Sequence, residues 1–208
     1  MSSPAATPSS ELPRNTSLAP SKTTENRSAR RRHVDMRTLL VSSLVALTLF
    51  AAGLLIGFQS LGAFLAQQDT APATEIWDFW SILGRNLSAA LLLYAGVATG
   101  GIASAIMLPV LGLYVGATAK IGILAVGLEQ LASAVWLYVP LEFAGCVLAG
   151  VAGMYPTVLL MLRRRPQITI LQQFLRGLTG SLAILGAAVL LIIAGAGIEA
   201  LLLLQLKG

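Results

Sequence analysis

A long uncharged run near the start of the chain limits most strongly what this sequence can fold into. From Leu39 to Ala66 there is no charged residue. A helix rises about 1.5 Å per residue, so this run would be about 40 Å long and would exceed the roughly 30 Å hydrocarbon core of a bilayer. We therefore predict a transmembrane helix at this position.

The composition extends this prediction to the rest of the chain. Of its 208 residues, 56% are hydrophobic and 11% are charged, whereas soluble domains carry about a quarter charged residues. Such a chain has too little polar surface to cover a water-soluble globule, and a lipid environment makes that cover unnecessary. The lipid bilayer is therefore the first partner that we predict.

The positions of the Lys and Arg residues are typical of a membrane topology signal. The net charge is +5, but most Lys and Arg residues lie between Arg14 and Arg37 or in the run Arg163-Arg164-Arg165. Both places adjoin apolar segments, which is the pattern of the positive-inside rule. We therefore predict no nucleic-acid partner.

Residues 1–37 differ from the remainder in being rich in Ser, Thr, Pro and Ala, without helical or strand periodicity. Such a segment cannot bury enough apolar surface to offset its ordering entropy, so we predict a disordered, basic tail. A secretory signal peptide is the competing interpretation, but the polar lead and the apolar run are both too long for one. With one cysteine, Cys146, and one histidine, His33, we expect no intrachain disulfide, no metal site and no cofactor.

We predict an all-α fold in which residues 38–208 form a polytopic domain of five transmembrane helices. Pro109 lies in the middle of a long apolar stretch and can turn the chain, which divides that stretch into two spans. Pro140 interrupts the next stretch, so we expect either a kinked helix or a short lead-in followed by a span. A polar linker to about Arg176 precedes the last span. The predicted spans cover residues 39–66, 87–107, 109–128, 131–162 and 177–203.

The positive-inside rule places the N-terminus in the cytoplasm. Five spans then put both basic clusters on the cytoplasmic side, whereas four spans would separate them. The acidic stretch from Gln67 to Phe79, with Trp77 and Trp80 at its end, falls outside, where a short interfacial helix is expected. We predict a multi-pass protein of the cell membrane with an extracytoplasmic C-terminus.

Small residues recur at four-residue spacing in the second, third and fourth predicted spans. Small side chains let helix backbones approach closely, which is how helices associate in lipid. These faces predict close helix packing, and they also make a homodimer or another membrane-protein partner plausible. The first and fifth spans are bulkier, so we expect them to face lipid. The small residues are Gly96, Gly100 and Ser104, then Gly112 and Gly116, then Gly145, Ala149 and Gly153.

Lys120 and Glu142 are the charged residues well inside the second to fourth predicted spans. Charge at membrane depth is costly, so each should be paired or should face water. Both residues lie at a similar predicted depth, which leaves three interpretations open. They form a structural ion pair, they line a polar path for a substrate, or Lys120 snorkels to the interface and the two never meet.

The sequence carries no motif that indicates an enzyme. A second histidine, a nucleophile elbow, a zinc-protease motif and a phosphate-binding loop are all absent from it. Glu142 alone is weak support for an intramembrane hydrolase, because acid–base catalysis needs a positioned partner. We predict a protein that is not an enzyme.

The middle of the chain contains an ordered series of motifs. It begins with Asn86, continues through a glycine-rich span and Gly112-Leu113-Tyr114-Val115-Gly116, and reaches Pro140-Leu141-Glu142-Phe143-Ala144-Gly145. This series resembles the stage II sporulation protein M family over about residues 79–165. Tyr138 and Val139 stand where that family has His and Gly. The positions that match the family are Asn86, Gly112, Gly116, Glu142 and Gly153.

The resemblance implies two alternative functions. In the first, the protein is a non-enzymatic scaffold or partner subunit of a membrane assembly, with cell-wall hydrolases as partners. In the second, it is a permease subunit for export of, or immunity to, bacteriocin-like peptides, and works with a separate ATPase. We take the first as the leading hypothesis.

Overall fold

A computed structural model describes residues 34–61, 79–163 and 167–207, which are helical with no β-strand among them. The predicted disorder of residues 1–33 and most of the predicted acidic loop lie outside the described residues. The tail prediction is wrong at its end, because a helix already begins at Met36. The helices are α1 (Met36–Ile56, continued by a π-helical turn Gly57–Leu61), α2 (Phe79–Tyr94), α3 (Ile102–Val126), α4 (Leu128–Val135), α5 (Val139–Leu162) and α6 (Ile170–Lys207).

Four segments are long and apolar enough to cross a membrane: Met36–Ser60, Ile102–Val126, Val139–Leu162 and Ile170–Gln205. Helix α2 has 16 residues, or about 24 Å, which is shorter than a typical hydrocarbon core. Among the described residues the fold is therefore all-α, with four candidate spans and one shorter helix. This is the architecture of a multi-pass membrane protein.

The predicted turn at Pro109 is wrong, and so are the predicted spans 87–107 and 109–128. Pro109 lies inside α3, and the chain instead reverses at residues 95–101. Gly100 and Gly101 have φ angles of +62° and +90° there, which favour glycine. The Gly101 N–H donates to the Gly96 carbonyl oxygen at 2.6 Å, which closes the turn. Helices in lipid tolerate an internal proline, because no water is available to satisfy an unwound backbone.

The stretch 131–162 forms a short lead-in followed by a span, which is the second of the two predicted alternatives. Helix α4 is the short lead-in, and Pro140 lies in the first turn of α5, where its missing N–H would have no helical partner. The last span begins earlier than predicted, since Ile170 to Arg176 is part of α6. The Thr169 hydroxyl accepts a hydrogen bond from the Gln172 N–H and starts that helix.

Helix α5 occupies the centre of the bundle and packs against α1, α2, α3 and α6. Between Gly145 and Pro156 every side chain except Leu148 is buried. A helix buried on all sides is apolar all round, and most of these side chains are also small, which lets four neighbours approach. The fourth predicted span, 131–162, therefore contains the core helix α5.

Helices α1 and α3 run side by side in the same direction. A Cβ atom on Gly53 would collide with the Pro109 backbone, and one on Gly57 with that of Leu113. The small-residue side of α1 thus faces α3, while its large side chains, such as Leu40, Leu44 and Leu55, are exposed, as predicted for a lipid-facing helix.

The other directions follow from equally specific contacts. Helix α3 runs opposite to α5, because Gly150 lies against Leu108 and Gly101 against Met154. Helix α6 also runs opposite to α5, because Ser181 donates a hydrogen bond to the Ala152 carbonyl oxygen at 2.6 Å, whereas Gly195 lies against Glu142.

The start of α1 and the end of α5 lie together. The Arg163 Nε and Asp35 Oδ2 atoms are 2.6 Å apart, and the Arg163 Nη2 donates to Asp35 Oδ1 at 3.1 Å. The Asp35 N–H donates to the Tyr155 hydroxyl at 2.9 Å. We call this side of the bundle the Arg163 end and the opposite side the Glu142 end.

Candidate functional site

Glu142 lies in the first turn of α5 and is 7% exposed. Gly195 on α6 makes room for it, since a Cβ atom on Gly195 would come within 2.5 Å of the Glu142 Cγ. The side chain therefore packs directly against the α6 backbone. A carboxyl group this deeply buried in a helix bundle needs partners or must lose its charge.

Three other polar side chains gather around Glu142. Asn86 on α2 and Glu199 on α6 approach its carboxyl group within hydrogen-bonding range, and Tyr138 precedes α5 on the same side. Glu199 is one turn beyond Gly195, so it lies on the same face of α6. We call Asn86, Tyr138, Glu142 and Glu199 the Glu142 cluster.

One oxygen atom of this cluster is left without a partner. Glu142 Oε1 is buried and has no hydrogen-bond partner among the described residues. A buried polar atom in this state is rare in folded proteins and indicates a place for a water molecule, a ligand or a proton. The Glu142 cluster is therefore the candidate functional site.

Two exposed tryptophans lie near the cluster in the chain. Trp80 and Trp136 are 73% and 64% exposed; Trp80 lies six residues before Asn86 on α2, and Trp136 lies in the turn between α4 and α5, two residues before Tyr138. Exposed tryptophans at one level are typical of the membrane–water interface. On α2, Asn86 would then lie about 9 Å farther along the helix than Trp80, at a rise of about 1.5 Å per residue.

The structure does not bring Lys120 and Glu142 together. The Lys120 Nζ lies 4.9 Å from the centre of the Phe58 ring on α1, whereas Glu142 faces α2 and α6. Of the interpretations left open by the sequence, the structural ion pair is wrong, because the two side chains point to different sides of the bundle. The half-buried Lys120 has a cation–π contact instead, of about 1 kcal/mol at an accessible site.

The predicted small-residue faces are used inside the chain. Gly112 and Gly116 on α3 meet the backbone of α1, while Gly145 faces Ala188 and Ile192 on α6. Because these glycines are covered within one chain, a homodimer or partner could not use the same contacts. The remaining small residues are equally internal: Gly96 faces Ser104, Gly100 lies in the turn before α3, Ala149 is fully buried and Gly153 faces α2 and Ser104.

Sequence reasoning missed Glu199 and Tyr138. The signal for Glu199 was present, because it is a carboxyl residue in an otherwise apolar span, one turn after Gly195. Asn86 and Glu142, in contrast, were both singled out as positions that match a family, and the structure places them side by side.

Comparison with known proteins finds no relative of this chain. No family model matches the chain, and neither do any curated protein sequences or solved structures. Within the described ranges, no group of three His, Cys, Asp or Glu side chains could hold a metal ion. Function is therefore inferred from the geometry of the site.

Proposed function

We propose that this chain is a non-enzymatic, five-pass membrane protein that acts as a scaffold or partner subunit of a membrane assembly, in the manner of the stage II sporulation protein M family. The family resemblance supports this proposal through Asn86 and Glu142, which are far apart in the sequence and in contact in the fold. The other matching positions, Gly112, Gly116 and Gly153, are all at close helix contacts.

The pairing of Asp35 with Arg163 supports the proposed five passes. Because the start of α1 and the end of α5 are at the same end, the chain must cross an even number of times between them. With α1, α3 and α5 as three crossings, we assign the fourth to α2 with its short extension to Val97 and the fifth to α6. The basic residues around Asp35 and Arg163 make this end cytoplasmic under the positive-inside rule.

One observation supports the scaffold function: the central helix α5 is apolar between its two ends, although the Ser42 hydroxyl on α1 is buried without a hydrogen-bond partner among the described residues. The buried side chains of α5 from Gly145 to Met154 are all apolar. The nearby hydroxyls of Ser104 and Ser181 each donate to a backbone carbonyl oxygen at 2.6 Å. Transport proteins place polar groups or broken helices at mid-membrane depth. A closed apolar core instead suits a protein that works by binding partners.

The alternative, a permease subunit for peptide export or immunity with a separate ATPase, is favoured by a different observation. Glu142 and Glu199 are two carboxyl groups within membrane-spanning helices, and such groups often mark substrate or ion paths. The cluster is confined to the Glu142 end, however, so any path through this chain would need a second subunit to continue it.

The Lys120→Met variant separates these two functions. Methionine keeps the apolar contact with Phe58 and removes the charge, so the variant should fold. The scaffold function predicts that the tagged chain migrates in a native gel of host membranes as part of a larger assembly, and that Lys120→Met leaves this assembly unchanged. Migration of the chain alone, or ATP-dependent peptide flux that the variant abolishes, would overturn it.

A further inference from the structure

The contact between two carboxyl groups in the Glu142 cluster has a chemical consequence of its own. Glu142 is 7% exposed, and Glu199 reaches its carboxyl group from the neighbouring helix. Two ionised carboxylates within hydrogen-bonding range repel each other strongly in a low-dielectric environment. The pair is therefore compatible with this packing only when something positive is held between or beside the two groups.

No positive side chain fills that role in the parts of the bundle that the structure describes. On α3, Lys120 lies over the Phe58 ring, and on α2 Arg85 is exposed and is not among the groups that act on the charge of Glu142. The α1 segment from Thr38 to Leu61 contains no ionisable residue. The remaining titratable groups near the pair are Tyr138 and Cys146 of α5 and its lead-in, and both are neutral or negative.

The unpartnered Glu142 Oε1 atom also indicates that a positive group is required here. Glu142 Oε1 is buried with no donor, and an ionised carboxylate left in this state costs several kcal/mol. A proton removes that cost without requiring space. A metal ion would need several oxygen ligands around it, whereas Glu142 is pressed against the backbone at Gly195.

We propose that Glu142 and Glu199 form a proton-binding site, in which one proton is shared between the two carboxyl groups and is exchanged with water at the Glu142 end. Uptake forms one O–H bond on either carboxylate, and the protonated group donates a hydrogen bond to the other. Release breaks the O–H bond and returns the proton to water at the Glu142 end. Asn86 orients the pair, since its amide can donate to the oxygen that is not engaged in sharing.

Infrared spectroscopy of the full chain in micelles of a detergent that has no carbonyl group tests this site, because a protonated carboxyl group has a carbonyl band separate from that of a carboxylate. The variants are Glu142→Gln and Glu199→Gln, and Glu129→Gln on the exposed helix α4 is the matched control. We expect wild type and Glu129→Gln to show this band at neutral pH and either cluster variant to lose it. The glutamine amide should donate to the remaining carboxylate and keep it ionised.

Each contrary outcome overturns the site. A missing band in wild type at neutral pH would mean that both groups are ionised, and a band retained in both cluster variants would mean that other residues produce it. A band that sodium ions abolish at constant pH would identify a metal-cation site instead. If Glu142→Gln fails to fold, the half-buried Glu199→Gln provides the same comparison. The measurement involves no partner, so its result is independent of the scaffold function.

Discussion

Glycine residues determine how closely α1 and α3 approach, and the contacts are backbone to backbone. A Cβ atom on Gly112 would collide with the Phe50 carbonyl oxygen and lie 2.8 Å from the Leu54 nitrogen. Neither of these two atoms can move aside by a side-chain rotation, because both belong to the backbone of α1. The distance between the two helices therefore depends on the absence of one methyl group.

We expect Gly112→Ala to destabilise the protein by about 1–3 kcal/mol, the usual range for overpacking a core. Gly186→Ala on α6 is the matched control, because a Cβ atom there meets nothing within 4 Å and alanine is the better helix former. Unfolding in detergent micelles titrated with a denaturing detergent measures both. Equal stability of the two variants would mean that the α1–α3 contact is not as close as described.

For single residues, the sequence identifies the positions that have a structural or functional role better than it identifies the residues that they contact. The depth of Glu142 could be predicted from its position in an apolar stretch, but its contact with Glu199 joins helices whose order in space no pattern specifies. Lys120 illustrates the same limit, since equal depth does not determine which side of a helix faces which neighbour. Four-residue spacing indicated close packing at Gly112 and Gly145, yet it could not tell an internal contact from an interface.

Among the elements, the hairpin of α2 and α3 departs furthest from the sequence prediction. Proline is a reliable helix breaker in water, but in lipid the helix is retained because an unwound turn would leave backbone groups unsatisfied. The turn falls instead at Gly100 and Gly101, where positive φ angles cost glycine nothing. The Ser104 hydroxyl then ties α3 to α2 through the Leu93 carbonyl oxygen.

Two substitutions distinguish this turn from the proline. Gly101→Ala should destabilise the protein by about 1 kcal/mol or more, because alanine must adopt a left-handed conformation there. Pro109→Ala should leave stability unchanged or raise it, because it restores a helical donor inside α3. Circular dichroism and denaturant titration of the two variants provide the comparison. A loss of stability on Pro109→Ala with none on Gly101→Ala would place the turn at the proline after all.

For the whole molecule, the distance between the two ends agrees with the thickness of a membrane. Glu142 and Arg163 are separated along α5 by about 30 Å at the rise of a helix, close to the hydrocarbon thickness of a bilayer. The apolar exposed surfaces of α1, α3 and α6 cover this interval. That the protein is helical, apolar and multi-pass could be predicted from composition and apolar run length. The central position of α5 could not, because burial in lipid leaves no polar face to distinguish an inner helix from an outer one.

The five-pass arrangement is tested most directly by the accessibility of single cysteines. In a Cys146→Ala background, the variants Ala73→Cys, Gln167→Cys and Gly208→Cys are treated with a membrane-impermeant thiol reagent. With five passes, positions 73 and 208 react in intact cells, and position 167 reacts only after permeabilisation. If α2 does not cross the membrane, position 167 reacts in intact cells and position 208 does not, which would contradict both the topology and the outer location of the Glu142 cluster.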